Sequence, residues 1–564
     1  MKKLLTFAAV GVCTACGGEG GQTFQSAFCQ EAIGRVETFM DQARTEHPVP
    51  DDPRYGGTLV VGAYGEMGDG MNAAVSTGAT GDQHQNFVNL MTLIDYDENY
   101  EPRPYLAESW DLAPDSTSIT FHLRRDVVWH DGEPTDAHDV AFTWATINDP
   151  ATGYPGATDL DFFVKGPGGY EVLDDYTIRI NMRPHPQFMG VFRAQAILPE
   201  HLLGDVPHDE LAQHPYGSQC PVGNGPFVFA EHRPQDRWVF TANPAFPEGL
   251  GGRPFVDRYV YRIVTEQTTL LTELLTESVD AYIAPASEQA QQIIDDPNLE
   301  LINFVPRQYN YIGWNSRRPQ LAEASVRRAL TMAMDRESMV EAVVQGYGSV
   351  AHTSVPPFHW AYDPSVFEPL PYDPDSARVL LDAAGWRDRD GDGVRESEDG
   401  TPFSITLKYN QNTMRQQIAE IVQAQLAQVG VDAQPRVVEY TTLVDQMTGE
   451  SRDFDAIVMG WQLGFDIDDT PLFSSDIDGP LALTGTHNAD MDRLMAQLRV
   501  TADRDAAKQL WAEYQRVLIQ EQPYTFLYFP DRLVGLNKRV KNAHFDARGE
   551  WENLKDWYLD PPSR

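Results

Sequence analysis

Residues 403–440 read FSITLKYNQNTMRQQIAEIVQAQLAQVGVDAQPRVVEY, and their pattern decides the fold class. The pattern predicts a strand over 403–409, a helix over 412–428 that ends at Gly430, and a second strand over 431–440. Two strands joined by a helix form a βαβ unit, whose strands are parallel and whose crossover is right-handed. The stretch therefore predicts an α/β lobe.

Further helix and strand signals precede this unit. Asp373 and Pro374 predict a helix start, because Asp caps helices and Pro fits the first helical position, and Gly385 predicts the matching stop. Partial alternation of apolar residues over 118–129 predicts a strand. Residues 136–148 predict a helix that follows a tight turn. These elements extend the α/β pattern towards the N-terminus.

The composition indicates a large, acidic, folded protein. The 564 residues allow about three to five domains at ~100–200 residues each. Hydrophobic residues make up 42%, which is enough for sizeable cores. Acidic residues outnumber basic residues by 83 to 43, which gives a net charge of −40. Because such a surface repels phosphates, we expect no nucleic-acid partner.

The N-terminus predicts export. Two lysines precede an apolar run over 4–12, which is too short to span a bilayer and is typical of a signal peptide. The following Thr-Ala-Cys-Gly, with its cysteine at Cys16, is similar to a bacterial lipobox. We therefore expect a lipoprotein signal peptide over 1–16 and a lipid anchor at Cys16, with plain secretion as the alternative. No later stretch predicts a membrane span, so we expect membrane contact through the lipid alone.

Two further cysteines, Cys29 and Cys220, would remain after processing. Because an exported protein meets oxidising conditions, we expect a disulfide that joins an N-terminal helix, about 23–46, to the body. The alternative is two thiols that lie too far apart to bridge.

The chain carries none of the familiar catalytic motifs. It has no G-x-S-x-G, no H-E-x-x-H, no phosphate-binding Walker loop and no spaced Cys/His cluster. Its 14 histidines are scattered. We therefore expect a protein that is not an enzyme and requires no cofactor.

An acidic loop over 388–399 is a candidate for structural calcium. Oxygen donors lie at alternating positions around a glycine, as in an EF-hand loop. The expected ligands are Asp388, Asp390, Asp392, the carbonyl of Val394, and Asp399, with Glu396 at the ninth position of the loop. The last position is Asp rather than the usual Glu, and no second loop accompanies it. The alternative is an empty tight turn, since Asp-Gly repeats also form turns.

Several blocks resemble a known family, in the family's order. They include Leu-Ala-Glu-Ser-Trp from Leu106, Trp-His-Asp-Gly-Glu-Pro from Trp129, Gly-Asn-Gly-Pro-Phe from Gly223, Val-Arg-Arg-Ala-Leu from Val326, Tyr-Asp-Pro-Asp-Ser-Ala-Arg from Tyr372, and Trp-Gln-Leu-Gly-Phe-Asp from Trp461. Together they resemble the family 5 bacterial extracellular solute-binding proteins, the oligopeptide- and dipeptide-binding group. The resemblance spans roughly 55–560.

The resemblance implies a type II periplasmic-binding-protein fold of the α/β class. The fold would have two main lobes and a smaller inserted lobe. The ligand would bind between lobes I and III and be enclosed there by hinge closure. The expected boundaries are a linker with the N-terminal helix over 17–56, lobe I over 57–94, 223–308 and 534–564, lobe II over 95–222, and lobe III over 309–533.

The resemblance also implies a ligand site. In the family an Asp that binds the ligand's amine follows a Trp in lobe III, and Asp466 is the first choice here, with Asp468 second. The alternative is that these are solvated acids of a loop. Trp461 would lie along the peptide or in the core, and Tyr154 would reach the cleft. Tyr311 and Asn315 lie near the point where the chain passes from lobe I to lobe III. There they would contact the ligand or form part of the hinge.

By the same resemblance, the protein captures short peptides and delivers them to an ABC permease and its ATPase. We expect a monomer in the periplasm or at the cell surface, held to the membrane by its N-terminal lipid. Alternatives are a receptor for another solute, such as a nickel chelate, haem or an oligosaccharide, and a sensory or chaperone-like lipoprotein that works without a permease.

Overall fold

The computed structural model describes residues 26–561, apart from positions 69, 77, 167, 186–187, 366–367, 478 and 502. Residues 1–16 and Cys16 lie outside this part, so the expected signal peptide and lipid anchor are not described. Within the described part, no helix has the length and apolar character needed to cross a bilayer.

Five sheets and fifteen α-helices make up the described part of the chain. The helices span Ala27–Glu46, Ala79–His84, Ala137–Asn148, Phe188–Ala194, Glu200–Leu203, Gln267–Leu275, Ala290–Asp295, Ala324–Met332, Arg336–Val344, Pro374–Ala383, Thr413–Ala427, Tyr440–Thr448, Thr470–Phe473, Ala489–Leu498 and Arg504–Glu521. The helix predicted at Asp373 begins as expected, because the Asp373 carboxylate accepts a hydrogen bond from the N–H of Ser376.

The largest sheet has seven strands drawn from three distant parts of the chain. Its strand order is Leu299–Phe304, Arg532–Asn537, Ala281–Ile283, Thr58–Ala63, Arg258–Ile263, Arg237–Ala242 and Phe227–Arg233. The central strand Thr58–Ala63 pairs in parallel with both of its neighbours. An aromatic and aliphatic core packs on this sheet.

A six-stranded sheet contains the βαβ unit that the sequence predicts. Its order is Gly348–Val350, Tyr524–Pro530, Gln308–Trp314, Ala456–Gln462, Ser404–Asn410 and Asp432–Val438. Ser404–Asn410 and Asp432–Val438 run in parallel and are joined by helix Thr413–Ala427, so the predicted unit is confirmed. Ala456–Gln462 continues the parallel pairing, and the chain after its last residue leads to the candidate site.

A smaller, antiparallel sheet has the order Ala107–Leu112, Ser118–Leu123, Thr177–Asn181 and Tyr170–Asp174. The strand predicted over 118–129 is too long, because it ends at Leu123. Trp129 turns into the core instead, where its indole N–H donates to Asp139 Oδ2 at 2.9 Å. Asp139 also forms a capping box with Asp136 at the start of helix Ala137–Asn148. The other two sheets are the hairpin of Ile94–Tyr96 with Pro102–Pro104, and the pair Val540–Lys541 and Tyr558–Leu559.

The N-terminal helix is attached to the smaller sheet's core. Val36 and Met40 belong to the same buried cluster as Trp129. Cys29, on this helix, is joined to Cys220 by a disulfide across a separation of 191 residues. The bond and the apolar face together hold helix Ala27–Glu46 on the body.

Candidate binding site

A cavity of about 300 Å³ lies between two lobes. The smaller lobe contains the four-stranded antiparallel sheet and the hairpin of Ile94–Tyr96 with Pro102–Pro104, and the six-stranded lobe contains the six-stranded sheet. One wall is formed by segment 100–102, at the two-stranded hairpin, and by Met189 of helix Phe188–Ala194. The other wall comes from the six-stranded lobe and consists of His359, Trp360, residues 466–470, Met495, Leu498, Arg499, Thr501, Arg504, Ala507, Trp511 and Tyr514. The volume of the cavity is at the lower end of the range for ligand sites.

Asp466 lies in this cavity and reaches across it. It follows strand Ala456–Gln462 by four residues, and its carboxylate accepts a hydrogen bond from the backbone N–H of Gly190 on the opposite wall. In the described part of the chain, the carboxylate has no basic partner. Burial raises the pKa of Asp466 to about 7, which the Gly190 hydrogen bond only partly offsets. A partly buried carboxylate without a basic partner is suited to receive a cation.

The two neighbouring acids are already engaged. Asp469 Oδ2 accepts hydrogen bonds from the hydroxyl groups of Ser354 at 2.5 Å and Tyr514 at 2.8 Å. Burial raises the pKa of Asp469 to about 6. Asp468 Oδ1 accepts from the N–H of Thr470 at 2.9 Å, and its Oδ2 lies 3.9 Å from Arg499 Nε. Of the three acids in segment 466–469, Asp466 therefore has the fewest protein partners.

The other predicted ligand residues lie outside the cavity wall. Trp461 is partly buried against the core of the six-stranded lobe and pairs with Tyr309. Tyr311 is buried and stacks on Tyr524, with ring centroids 4.0 Å apart. Tyr154 packs against the core of the smaller lobe.

Asn315 holds the backbone of the six-stranded lobe together. Its side-chain amide donates to the carbonyls of Arg452 at 3.2 Å and Phe454 at 2.8 Å. It is 1% exposed, which leaves no surface for a ligand.

Side chains that the sequence interpretation did not select complete the site. His359 and Trp360 come shortly after Pro356 and Pro357, and Trp511 and Tyr514 lie on helix Arg504–Glu521. The His359 ring is buried, and its Nδ1 accepts the N–H of Ala361 at 3.2 Å. The two aromatic residues after Pro356 and Pro357 were the sequence signal for this part of the site. Whether their side chains face the cavity depends on the tertiary fold.

By the expected boundaries, side chains of lobes I, II and III meet around Phe465. Phe465 lies between two guanidinium groups, with Arg193 4.6 Å and Arg307 3.9 Å from its ring centroid. Arg307 Nε donates to the carbonyl of Ala547 at 2.9 Å, and its Nη1 to that of Leu463 at 3.1 Å. These contacts join the seven-stranded and six-stranded lobes directly. By the expected boundaries, the cavity is lined by residues of lobes II and III.

The rim of the cavity is also held by contacts between lobes. Arg504 forms an ion pair with Glu101 across the gap. Beside it, Tyr100 stacks on Phe358, with ring centroids 5.3 Å apart. Arg504 also lies over the Trp360 ring, 5.1 Å from its centroid. The two lobes are thus in contact at the rim of the cavity.

The acidic loop lies apart from the cavity and brings four carboxylates together. Donor oxygens of Asp388, Asp390, Asp392 and Glu396 lie within 4.8 Å of one another. The first three residues are exposed, whereas Glu396 is buried. Asp399 instead bonds the hydroxyl of Ser397 and the N–H of Thr401. The N–H of Val394 donates to Asp392. The cluster therefore contains Glu396 in place of Asp399.

Comparisons with known proteins agree with this architecture. The sequence profile of the bacterial extracellular solute-binding proteins, family 5 Middle, matches residues 101–479. The chain is 32% identical over 517 residues to the oligopeptide-binding protein AppA of Bacillus subtilis (strain 168), which covers 90% of this chain and 92% of that protein. It is 26% identical over 455 residues to the di/tripeptide-binding protein 1 of Pseudomonas aeruginosa (strain UCBPP-PA14), covering 75% and 79%.

A solved structure shows the same fold. The structure of the Bacillus subtilis AppA in complex with a nonapeptide superposes with a TM-score of 0.73 and 28% sequence identity, covering 90% of this chain and all of that chain. The predicted type II, multi-lobe α/β fold is thereby confirmed. The family consists of substrate-binding proteins of transporters and not of enzymes. This chain belongs to the family 5 bacterial extracellular solute-binding proteins.

Proposed function

We propose that this protein binds short peptides with a free amino end, and that the ligand's ammonium group contacts Asp466. The observation that carries the proposal is a partly buried carboxylate without a basic partner in the cavity between the two lobes. A ligand cation would supply the missing charge and favour the ionised carboxylate. The names of the relatives support peptide as the ligand class.

The same proposal includes delivery of the peptide to an ABC permease and its ATPase. The protein would work as a monomer in the periplasm or at the cell surface, tethered through a lipid on Cys16. Membership of an extracellular solute-binding family supports this location. Metabolic labelling with a fatty acid, in the wild type and in Cys16→Ala, tests the anchor. Equal labelling of both proteins would exclude it.

Calorimetry tests the ligand class. The wild type should bind a free tripeptide such as Leu-Gly-Gly and bind its N-acetylated form at least tenfold more weakly. Asp466→Asn should remove most of this difference, because the amide cannot neutralise an ammonium. Asp445→Asn, an exposed position on helix Tyr440–Thr448, is the matched control and should bind like the wild type.

Mass spectrometry of co-purified ligands extends the test to other solutes. Peptides are expected. A nickel chelate, haem or an oligosaccharide in their place, together with equal affinity for free and acetylated peptide, would overturn the proposal.

We also propose that the 388–396 loop binds calcium as a structural ion. Four carboxylates whose oxygens lie within 4.8 Å support it, because hard oxygen donors suit Ca²⁺. Calcium should raise the melting temperature of chelator-treated protein, and Asp390→Asn should abolish the increase. An unchanged melting temperature on adding calcium would contradict this proposal without affecting the peptide site.

A further inference from the structure

The ring of Phe465 is contacted by two arginines from different parts of the fold. Phe465 is partly buried and lies directly before Asp466. The Cζ atoms of Arg307 and Arg193 lie over its ring, 3.9 Å and 4.6 Å from the centroid. Tyr96 of the smaller lobe adds an aromatic contact, with ring centroids 5.3 Å apart. Phe465 thus joins the segment that carries the proposed ligand contact to side chains from elsewhere in the molecule.

Arg307 lies on the connection between the two large sheets. Strand Leu299–Phe304 of the seven-stranded sheet ends three residues before it, and strand Gln308–Trp314 of the six-stranded sheet begins directly after it. Its Nη1 donates to the carbonyl of Leu463, two residues before Phe465. Because Arg307 is bonded to the segment that carries Phe465, its contact with the ring does not require the smaller lobe.

Arg193 is supplied by the smaller lobe, on helix Phe188–Ala194. It is 2% exposed, and its Cζ also lies 4.5 Å from the ring centroid of Phe87. Its Nε lies 3.4 Å from Asp95 Oδ1, but neither Nε nor Nη2 donates a hydrogen bond to the described residues. Cation–π contacts are strongest where water is excluded, so this guanidinium group depends on the aromatic rings beside it.

Two contacts join the segment of Phe465 and Asp466 to the same helix of the smaller lobe. Asp466 accepts a hydrogen bond from the backbone N–H of Gly190, and Phe465 meets Arg193, three residues further along the helix. Parting the two lobes would break both contacts. A ligand held between lobes that move about a hinge leaves when the lobes part, so the strength of these contacts affects the rate of release.

We propose that the stacking of Arg193 on Phe465 holds the smaller lobe closed over a bound peptide and positions the adjacent Asp466 for the ligand's ammonium group. Arg307 keeps the Phe465 ring in place, and Arg193 meets the ring when the lobes come together. Phe465 is thus a positioning residue, which acts on the ligand through Asp466 and through the contact between the lobes. This inference rests on the proposed peptide-binding function and identifies what limits the release of the peptide.

Two substitutions at Phe465 separate its aromatic face from simple packing. Leucine keeps an apolar side chain without an aromatic face, whereas tyrosine keeps the ring. We expect Phe465→Leu to raise the dissociation rate of Leu-Gly-Gly about tenfold, equivalent to about 1.4 kcal/mol, and Phe465→Tyr to change it less than about twofold. Stopped-flow displacement by excess peptide measures the rate.

Phe545→Leu is the matched control. Phe545 is also partly buried, but its ring packs on Trp557 in the core of the seven-stranded sheet. The same substitution there should leave the dissociation rate within about twofold of the wild-type value, whatever its effect on the melting temperature.

A double-mutant cycle with Arg193→Met tests whether Arg193 is the partner. Methionine keeps a long apolar side chain, and Asp95 keeps its hydrogen bonds from Arg103 at 2.5 Å and 3.0 Å. In this background Phe465→Leu should change the dissociation rate less than about twofold, because the contact is already lost. If Arg193→Met does not fold, the comparison of Phe465→Leu with Phe465→Tyr decides alone.

The outcomes distinguish this inference from the function on which it rests. If the wild type binds neither Leu-Gly-Gly nor its acetylated form, both are contradicted. If the wild type binds the peptide but Phe465→Leu releases it at the wild-type rate, only the closing contact is overturned. Equal acceleration by Phe465→Leu and Phe465→Tyr, or an equal effect of Phe465→Leu in both backgrounds, would show that Phe465 acts through packing alone and would also overturn it.

Discussion

The carboxylate of Asp466 accepts a hydrogen bond from the backbone N–H of Gly190, across the cavity between the two lobes. The approach is so close that a Cβ atom on Gly190 would lie 2.9 Å from Asp466 Oδ2. A methyl group at Gly190 would therefore displace the Asp466 carboxylate from this position. Gly190 therefore permits the close contact between the smaller lobe and segment 466–469.

Gly190→Ala should hinder this closure, because its methyl group would press against the Asp466 carboxylate. We expect affinity for Leu-Gly-Gly to fall about tenfold and the radius of gyration in small-angle scattering to increase in the presence of peptide. Gly34→Ala is the control, since a Cβ at Gly34 meets nothing within 4 Å. It should leave binding unchanged and stabilise helix Ala27–Glu46 by about 0.5–1 kcal/mol. Normal closure in Gly190→Ala would contradict the close contact.

Peptide affinity should depend on pH through Asp466. Because burial raises the pKa of this carboxyl group to about 7, it is largely protonated below that pH and must release a proton when an ammonium binds. Affinity should therefore fall about tenfold for each pH unit below 7 and level off above it. Without ligand, the stability of the closed form depends on pH in the opposite sense. Because the pKa of Asp466 is raised in the closed form, this form is stabilised at low pH, and the stabilisation is lost as pH rises through 7.

Calorimetry at pH 6 in two buffers of different ionisation enthalpy measures the released proton directly. About one proton per peptide is expected for the wild type and none for Asp466→Asn. The charged or titratable groups that also line the cavity are Asp468, Asp469, Glu101, His359, Arg499, Arg504, Tyr100 and Tyr514. Among these, Asp469 has its pKa raised by burial to about 6, so Asp469→Asn serves as the control for its contribution. Proton release that persists in Asp466→Asn would assign the effect to another group.

The sequence predicted the fold better than the site. The sequence blocks from Trp129 to Asp139 and from Asp373 onward form contacts between residues that are close together in the chain. Trp129 bonds Asp139 within ten residues, and Asp373 caps its own helix. Such short-range patterns are visible in a single chain. They explain why the lobes and the βαβ unit were predictable.

The cavity depends on contacts that are distant in sequence. Gly190 and Asp466 come from different lobes, and His359, which is distant from both in sequence, lines the same cavity as Asp466. Tyr311 and Asn315 are conspicuous in sequence, yet both are buried inside the lobe. Residue type alone does not reveal whether an aromatic or amide side chain faces a cleft or a core.

The bonds to Asp469 should matter for stability more than for ligand choice. Tyr514→Phe removes one of the two hydroxyl groups that donate hydrogen bonds to Asp469, and leaves the bond from Ser354 in place. Loss of a hydrogen bond to a buried acid should lower the free energy of unfolding by about 1–3 kcal/mol. Urea denaturation measures it. Tyr64→Phe, at a tyrosine that is 62% exposed, should change nothing. Equal stability of the two variants would show that Asp469 does not depend on Tyr514.

The disulfide should determine how firmly the N-terminal helix is held. Cys29→Ser combined with Cys220→Ser removes a link across 191 residues, and losses of about 2–5 kcal/mol are typical for native disulfides. Helix Ala27–Glu46 would then depend on its apolar face, which includes Val36 and Met40. We expect faster tryptic cleavage after Arg35 and Arg44, with peptide affinity unchanged because the helix is absent from the cavity wall. Cleavage at the wild-type rate would show that packing alone secures the helix, whereas a loss of affinity would show that the link also supports the site.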